Sequence, residues 1–202
     1  MDIDTPRGPA VADIDEPAGE PRFLLVITHG AGGGVDAPDL LAVRDAAVAQ
    51  GGAVARVTQA FRVAGRRSPG AGAKAQDEAW CAVVRRLRAE ERFAAVPLVL
   101  GGRSNGARVA CRTAVALGAA AVVALAFPLQ GQGKSAVSRV GELRGAGVPV
   151  LVVNGDRDPF GVPEPEAGIA VVVRPGERHD LAKDPRGVAE AVAAWLTAML
   201  GR

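Results

Sequence analysis

The stretch Gly102-Arg103-Ser104-Asn105-Gly106 constrains this chain most, because of what stands on either side of it. Pro97-Leu98-Val99-Leu100-Gly101 reads as a short buried strand, and Ala107 to Ala114 reads as a helix. A serine between strand and helix must take a strained backbone conformation, and glycines two positions either side let neighbouring segments close in. Such a turn holds Oγ clear of a sheet, while the helix N-terminus aims free N–H groups at developing negative charge. The chain has four serines, at 68, 104, 135 and 138, and 26 glycines in 202 residues. Random placement of that composition yields about 0.07 such patterns, even before the strand and helix are required. Ser104 is therefore a candidate nucleophile; the plainer alternative is a serine that completes a turn.

Strand and helix alternate along almost the whole chain, which points to an α/β layer structure with a mostly parallel sheet. Residues 2–5 and 10–15 pattern as a weak N-terminal hairpin or a partly irregular segment through Pro6-Arg7-Gly8. Phe23 to Thr28 is a continuous apolar strand, as in a sheet covered on both faces. Asp36 and Pro38 open a helix with Leu40, Val43 and Ala47 on one side, and Gly51 closes it. Val54 to Thr58 is the next strand. A loop with Arg62, Arg66, Arg67 and Pro69 follows, then a helix with Trp80, Val83, Val84 and Leu87 at helical spacing. Beyond the serine come strands at 121–127, 148–153 and 169–173, with a helix at 135–144 between the first two. The last helix has Asp184 as N-cap and Pro185 in its first turn, with Val188, Val192, Trp195 and Met199 on one stripe. Residues 1–202 read as a single domain.

A formal charge of +2, with no basic stretch interleaved with aromatics, argues against a nucleic-acid partner. The longest uncharged stretch, Ala114 to Leu129, is interrupted by Gly118 and Pro128 and is too short to span a bilayer, so no membrane role is expected. The acidic start Met1-Asp2-Ile3-Asp4 does not resemble a signal peptide. Cys81 and Cys111 each fall in a helix, where a buried apolar role is expected and a reducing cytoplasm fits. Two histidines and no Cys or His cluster argue against a metal site, and no cofactor is expected. Nothing in the sequence sets an oligomeric state.

A nucleophilic serine needs a base to take its proton and an acid to orient that base. His29 ends the first strong strand in His29-Gly30-Ala31-Gly32-Gly33-Gly34, a glycine run whose backbone N–H groups are left unobstructed. His179 lies in the loop after the last strand, in Gly176-Glu177-Arg178-His179-Asp180, free to swing over the sheet edge. His179 is the candidate base, and His29 the candidate brace of the glycine loop. The acid belongs in Gly155-Asp156-Arg157-Asp158-Pro159, where two aspartates compete. Asp156 sits near a turn expected at Asn154-Gly155 and suits a local bond to an N–H two residues on. Asp158 stands farther out, and Pro159 fixes its direction. Asp158 is the candidate acid and Asp156 the alternative.

Together, His29-Gly30-Ala31-Gly32-Gly33, the Gly102–Gly106 motif, Gly155-Asp156-Arg157-Asp158-Pro159-Phe160-Gly161 and His179 resemble the α/β-hydrolase superfamily. Within it they are similar to a small, lidless, dienelactone-hydrolase-like branch, over about residues 20 to 200. The order Ser104, Asp158, His179 is that superfamily's order, unlike chymotrypsin's or subtilisin's. The resemblance implies a three-layer α/β fold with an eight-stranded, mostly parallel sheet, helices on both faces and no lid domain. The N-terminal hairpin would supply its first two strands. It also implies an oxyanion hole from the backbone N–H groups of Ala31 and Asn105. The implied activity is hydrolysis of a small-molecule ester or thioester through an acyl-enzyme on Ser104. Dienelactone hydrolases proper carry cysteine at the nucleophile position, so Ser104 departs from them and dienelactone is not the expected substrate.

Two rivals stand beside this. Pro128 to Ser135 nearly fits G-x-x-x-x-G-K-[ST], but Pro128 replaces the first glycine, where a phosphate loop needs freedom and donors. A non-catalytic interaction module on the same fold is the other. His29, Gly32, Arg62 and Arg103 are further candidates for the substrate-facing wall, with Arg66 and Arg67 near its mouth. If the arginines do face substrate, acidic esters are expected to be preferred; as ordinary solvated loop residues they would select nothing.

Overall fold

The computed structural model describes residues 1–70, 72–131 and 137–201. Eight strands form one sheet: β1 (Asp2–Ile3), β2 (Ala10–Asp15), β3 (Phe23–Thr28), β4 (Gly52–Thr58), β5 (Leu98–Arg103), β6 (Ala121–Leu125), β7 (Val150–Gly155) and β8 (Ile169–Arg174). Their spatial order is β1-β2-β4-β3-β5-β6-β7-β8. β1 and β2 form the expected antiparallel hairpin, β2 runs antiparallel to β4, and every other pairing is parallel.

Period-two alternation divides the core. In β3, Leu24 and Val26 face one side while Leu25 and Ile27 face the other, and all four are fully buried. On the first side lie α3 (Ala73–Arg88) and α5 (Asn105–Thr113), which contribute Trp80, Val84, Leu87, Val109 and Ala110. On the second lie α1 (Pro38–Ala49) and α7 (Pro185–Leu200), which contribute Leu40, Val43, Val188, Val192 and Leu196. Each such aliphatic side chain is worth about 1.5–3 kcal/mol when withdrawn from water. A strand with water on neither face needs no polar alternation, which is why Phe23 to Thr28 is an unbroken apolar run. The Asp184 carboxylate accepts from Gly187 N at 2.9 Å, the expected N-cap of α7. Cys81 and Cys111 are free and buried.

Some boundaries differ from the sequence expectation. The loop after β4 contains a short helix, α2 (Ala60–Val63), which buries Phe61. A further turn of helix, α4 (Glu91–Ala94), buries Phe93 ahead of β5. Asp36 does not cap α1; it pairs with Arg56 at 2.7 Å. α6 (Val140–Arg144) begins well after Ser135, and residues 132–136 lie outside the described residues, which takes in the second half of the phosphate-loop-like stretch. β7 does not end at Val153: Asn154 and Gly155 still pair, with Val173 and Arg174.

From β3 the chain crosses to β4 on one side and then returns to β5 on the other. That reversal splays the connections after β3 and β5 apart and opens a crevice at the carboxyl ends of the strands. The glycine run and Ser104 stand on its two sides.

Candidate active site

Ser104 sits between β5 and α5 with no intervening residue, at φ 54° and ψ −110°. That conformation costs a non-glycine residue about 1–3 kcal/mol and persists only where its surroundings impose it. They do so by close packing. A Cβ on Gly102 would come within 2.6 Å of the Thr28 carbonyl, and one on Gly106 within 2.7 Å of the same oxygen. Both glycines thus let the elbow press against the end of β3. Ser104 N donates to Leu125 O at 2.9 Å, which fixes the turn from the β6 side.

The Ser104 hydroxyl meets His179 Nε2 at 2.9 Å, and His179 Nδ1 meets Asp158 Oδ2 at 2.8 Å. An ionised carboxylate only accepts, so Nδ1 carries the ring proton and Nε2 is left bare toward the hydroxyl. The Asp158 side chain has no solvent exposure. Its Oδ1 accepts from Phe160 N at 2.9 Å, and the Phe160 ring packs edge-on against the imidazole, centroids 4.4 Å apart. Asp156 takes another place: it is exposed, and its Oδ1 accepts from Gly176 N at 2.7 Å, stapling β7 to the turn after β8. The local bond two residues on, expected of Asp156, is made by Asp158 instead. The reason is that β7 runs two residues farther than expected and carries Asp156 next to β8.

His29 is fully buried. Its Nε2 accepts from Gln59 N at 3.1 Å, so Nδ1 carries the proton and donates to Gly30 O at 2.8 Å. Burial pushes its pKa below the ordinary 6.5, with the Arg62 and Arg103 charges acting in the same direction. A neutral ring with both nitrogens engaged braces the glycine loop and has no free nitrogen for a substrate. That loop passes close to the serine: a Cβ on Gly30 would lie 3.2 Å from Ser104 Cβ. Ala31 lines the cleft, and Asn105 is the first residue of α5, so its N–H has no intrahelical acceptor.

The cleft over Ser104 has a volume of about 530 Å³ and is walled by the glycine loop, Arg103, Phe160 and the segment 178–180. Gly32 and Arg103 are among the residues that line it; His29 and Arg62 are not. His29 is sealed beneath the loop, with the Phe61 ring of α2 packed against it, centroids 5.5 Å apart; Arg62 is the next residue of that helix. Arg66 reaches a separate slot beside Trp80 and Phe61, whose roughly 30 Å³ accommodate a water or two rather than a substrate. Among the described residues, no group of three or more His, Cys, Asp or Glu side chains is arranged to hold a metal, and no helix is long and apolar enough to cross a membrane.

Several supporting residues escape sequence reasoning. Asn154 is buried, accepts from Phe127 N at 2.8 Å and donates to Gly161 O at 3.2 Å, so it ties the end of β6 to the Asp158 turn. Glu177 is buried, and its carboxylate accepts from the backbone N–H groups of Lys183 and Asp184, which folds the His179 loop onto the start of α7. Leu181, at φ 49° and fully buried, anchors the same loop in the core. A polar residue at the end of an apolar run is the one signal for Asn154. Glu177 and Leu181 carry none.

A family model for the α/β hydrolase domain matches residues 21–181. Est1E from Butyrivibrio proteoclasticus, solved with ferulic acid bound, superposes with a TM-score of 0.78 at 19% identity, over 100% of both chains. XC6422 from Xanthomonas campestris, described as an α/β serine hydrolase without lid, gives 0.76 at 20% identity over 98% of this chain and 93% of that one. Dienelactone hydrolase from Anabaena variabilis gives 0.75 at 18% identity over 100% and 95%. At these identities the likeness shows the fold: an eight-stranded, mostly parallel sheet with helices. No curated protein sequence matches significantly.

Proposed function

The chain belongs to the α/β hydrolase domain family, and from that premise we propose that it is a serine hydrolase of small carboxylic esters or thioesters. Ser104 Oγ attacks the carbonyl carbon as His179 Nε2 takes its proton, and Asp158 stabilises the resulting imidazolium. The N–H groups of Ala31 and Asn105 receive the oxyanion. Collapse of the tetrahedral adduct expels an alcohol or thiol, which leaves with the proton from His179. Water, deprotonated by His179, then attacks the acyl-enzyme and releases the acid and the free serine.

The observation that carries this reading is the unbroken relay from a strained serine through His179 to a fully desolvated Asp158, with links of 2.9 and 2.8 Å. The open cleft and the phenyl face of Phe160 suit a compact acyl group. Because Est1E was solved with ferulic acid, methyl ferulate belongs in the first substrate panel beside p-nitrophenyl acetate, p-nitrophenyl butyrate and a short acyl thioester. Cytoplasmic placement completes the proposal and rests on the two buried cysteines, both free.

Labelling with a fluorophosphonate, followed by peptide mass spectrometry, should locate the adduct on Ser104. Ser104→Ala should abolish it and lower turnover of the best panel ester by at least about 10³-fold. Unchanged hydrolysis by Ser104→Ala, or a wild-type protein that neither labels nor turns over any member of the panel, would overturn the proposal.

A further inference from the structure

Arg103 Nη1 lies 3.1 Å from Asp39 Oδ1 and also donates to the Asp180 carbonyl at 3.2 Å. Asp39, in the first turn of α1, has no solvent exposure, and among the described residues its Oδ2 has no hydrogen-bond partner. Burial raises its carboxyl pKa above the ordinary value, and the Arg103 charge offsets only part of that rise. A buried carboxylate in that position depends on its cation. The tip of the guanidinium also reaches Gly33, where any Cβ would collide with Nη2. One side chain therefore touches the glycine loop, the elbow and the backbone beside His179, with α1 as a fixed base.

We propose that Arg103, held by Asp39, is a positioning residue that locks the glycine loop and the His179 loop onto the nucleophile turn. The inference rests on the assignment of Ser104, Asp158 and His179 above. The planar, multi-donor guanidinium suits this work: it reaches a carboxylate and a carbonyl together from a rigid fork, which a single ammonium on a flexible stem does poorly. Arg103 also borders the cleft, so the competing role is direct capture of an anionic substrate. The two roles diverge at Asp39, which is sealed from the cleft and is not among the residues that wall it.

The test compares Asp39→Leu, Asp39→Asn, Arg103→Met and Arg103→Lys on neutral p-nitrophenyl acetate, with amide hydrogen exchange of residues 178–182 read in parallel. Asp39→Leu and Arg103→Met should each lower kcat about 10- to 100-fold with KM little changed, the scale of an ångström-sized misplacement. Both should speed exchange in 178–182 while β3 and β5 keep theirs. The double variant should be no worse than the poorer single one, because both remove the same contact. Asp39→Asn keeps an acceptor for Nη1 and should recover most of the loss; Arg103→Lys should recover part. If Asp39→Leu does not fold, the Arg103→Met and Arg103→Lys pair carries the same comparison. Wild-type kcat and wild-type exchange in either Asp39→Leu or Arg103→Met would overturn the inference, as would an Arg103→Met defect confined to the KM of anionic esters. Exchange does not depend on turnover. A Ser104→Ala protein that still hydrolyses ester would therefore sink the assignment of the nucleophile and leave the exchange result to judge the clamp.

Discussion

Replacing Asp158 by asparagine changes one atom, and its neighbours dictate how the new amide must sit. Phe160 N donates to Oδ1 at 2.9 Å, so the amide oxygen is retained there. The NH₂ group then takes the place of Oδ2, 2.8 Å from His179 Nδ1. A donor at that position requires Nδ1 to be the bare nitrogen, which moves the ring proton to Nε2. Nε2 then faces the Ser104 hydroxyl as a donor, and the serine has no base. The variant also lacks the unexposed negative charge that stabilises the imidazolium. The wrong tautomer and the lost charge together should lower kcat by about 10³- to 10⁴-fold, which is about 4–5.5 kcal/mol of activation free energy.

Asp156→Asn is the matched control. Asp156 is exposed and makes one bond to backbone, which an amide oxygen also accepts, so the substitution should cost at most about 1 kcal/mol of stability and leave kcat near wild type. Steady-state hydrolysis of p-nitrophenyl acetate at pH 7.5, with thermal melts of all three proteins, reads both quantities. A folded Asp158→Asn protein that keeps kcat within about threefold of wild type would refute the tautomer argument. An inactive, folded Asp156→Asn would transfer the acid to the other aspartate.

Two further outcomes follow from contacts around the histidines. Phe160→Ala keeps the backbone N–H that holds Asp158 but removes the ring packed on His179, so kcat should fall about 2- to 12-fold, the equivalent of 0.5–1.5 kcal/mol, with Asp158 still functional; an unchanged kcat would show that the ring does not steady the base. His29 is held neutral below its ordinary 6.5, so the unfolded chain binds its proton more readily than the folded one. Its contribution to stability is fully present above pH 6.5 and is lost as pH falls toward the depressed value. Melts at pH 7.5 and 5.0 should therefore show a steeper acid loss of Tm in wild type than in His29→Asn, and equal slopes would contradict the assignment.

What was legible in the sequence was local. The elbow reads directly because strand, glycine, serine, glycine and helix follow one another without a gap, and the same contiguity exposes the glycine run after β3. Asp158 and His179 are legible for a related reason: each follows a recognisable strand at the carboxyl edge of the sheet, where loops from neighbouring parallel strands must meet. Arg62 follows β4 closely along the chain, yet it stands in α2 and is not among the residues that wall the cleft. The end of β7 misled because Asn154-Gly155 has turn chemistry, yet Asn154 is recruited by Phe127 backbone 27 residues away and stays in the ladder.

Asp39, Asn154 and Glu177 share a property that hides them from any reading along the chain. Each is a buried polar side chain whose partners lie beyond its immediate neighbours: the Arg103 guanidinium for Asp39, the Phe127 backbone for Asn154, and the Lys183 and Asp184 N–H groups at the far end of its own connection for Glu177. Backbone acceptors and donors have no residue identity, so no pattern in the sequence announces them. Left unpaired, each would cost about 1–3 kcal/mol or more, so these positions bind their loops firmly once the chain has folded. Ser104, Asp158 and His179 arrive on three separate connections, and Phe160 and Arg103 touch two of those connections each. The hydrogen-bond lengths within the relay are thus set by residues outside it. Sensitivity of catalysis to substitution should therefore extend to Asp39, Asn154 and Glu177, which take no part in the chemistry, and fade at Arg62, which does not wall the cleft, and at Asp156, which lies two residues from Asp158 yet bonds elsewhere.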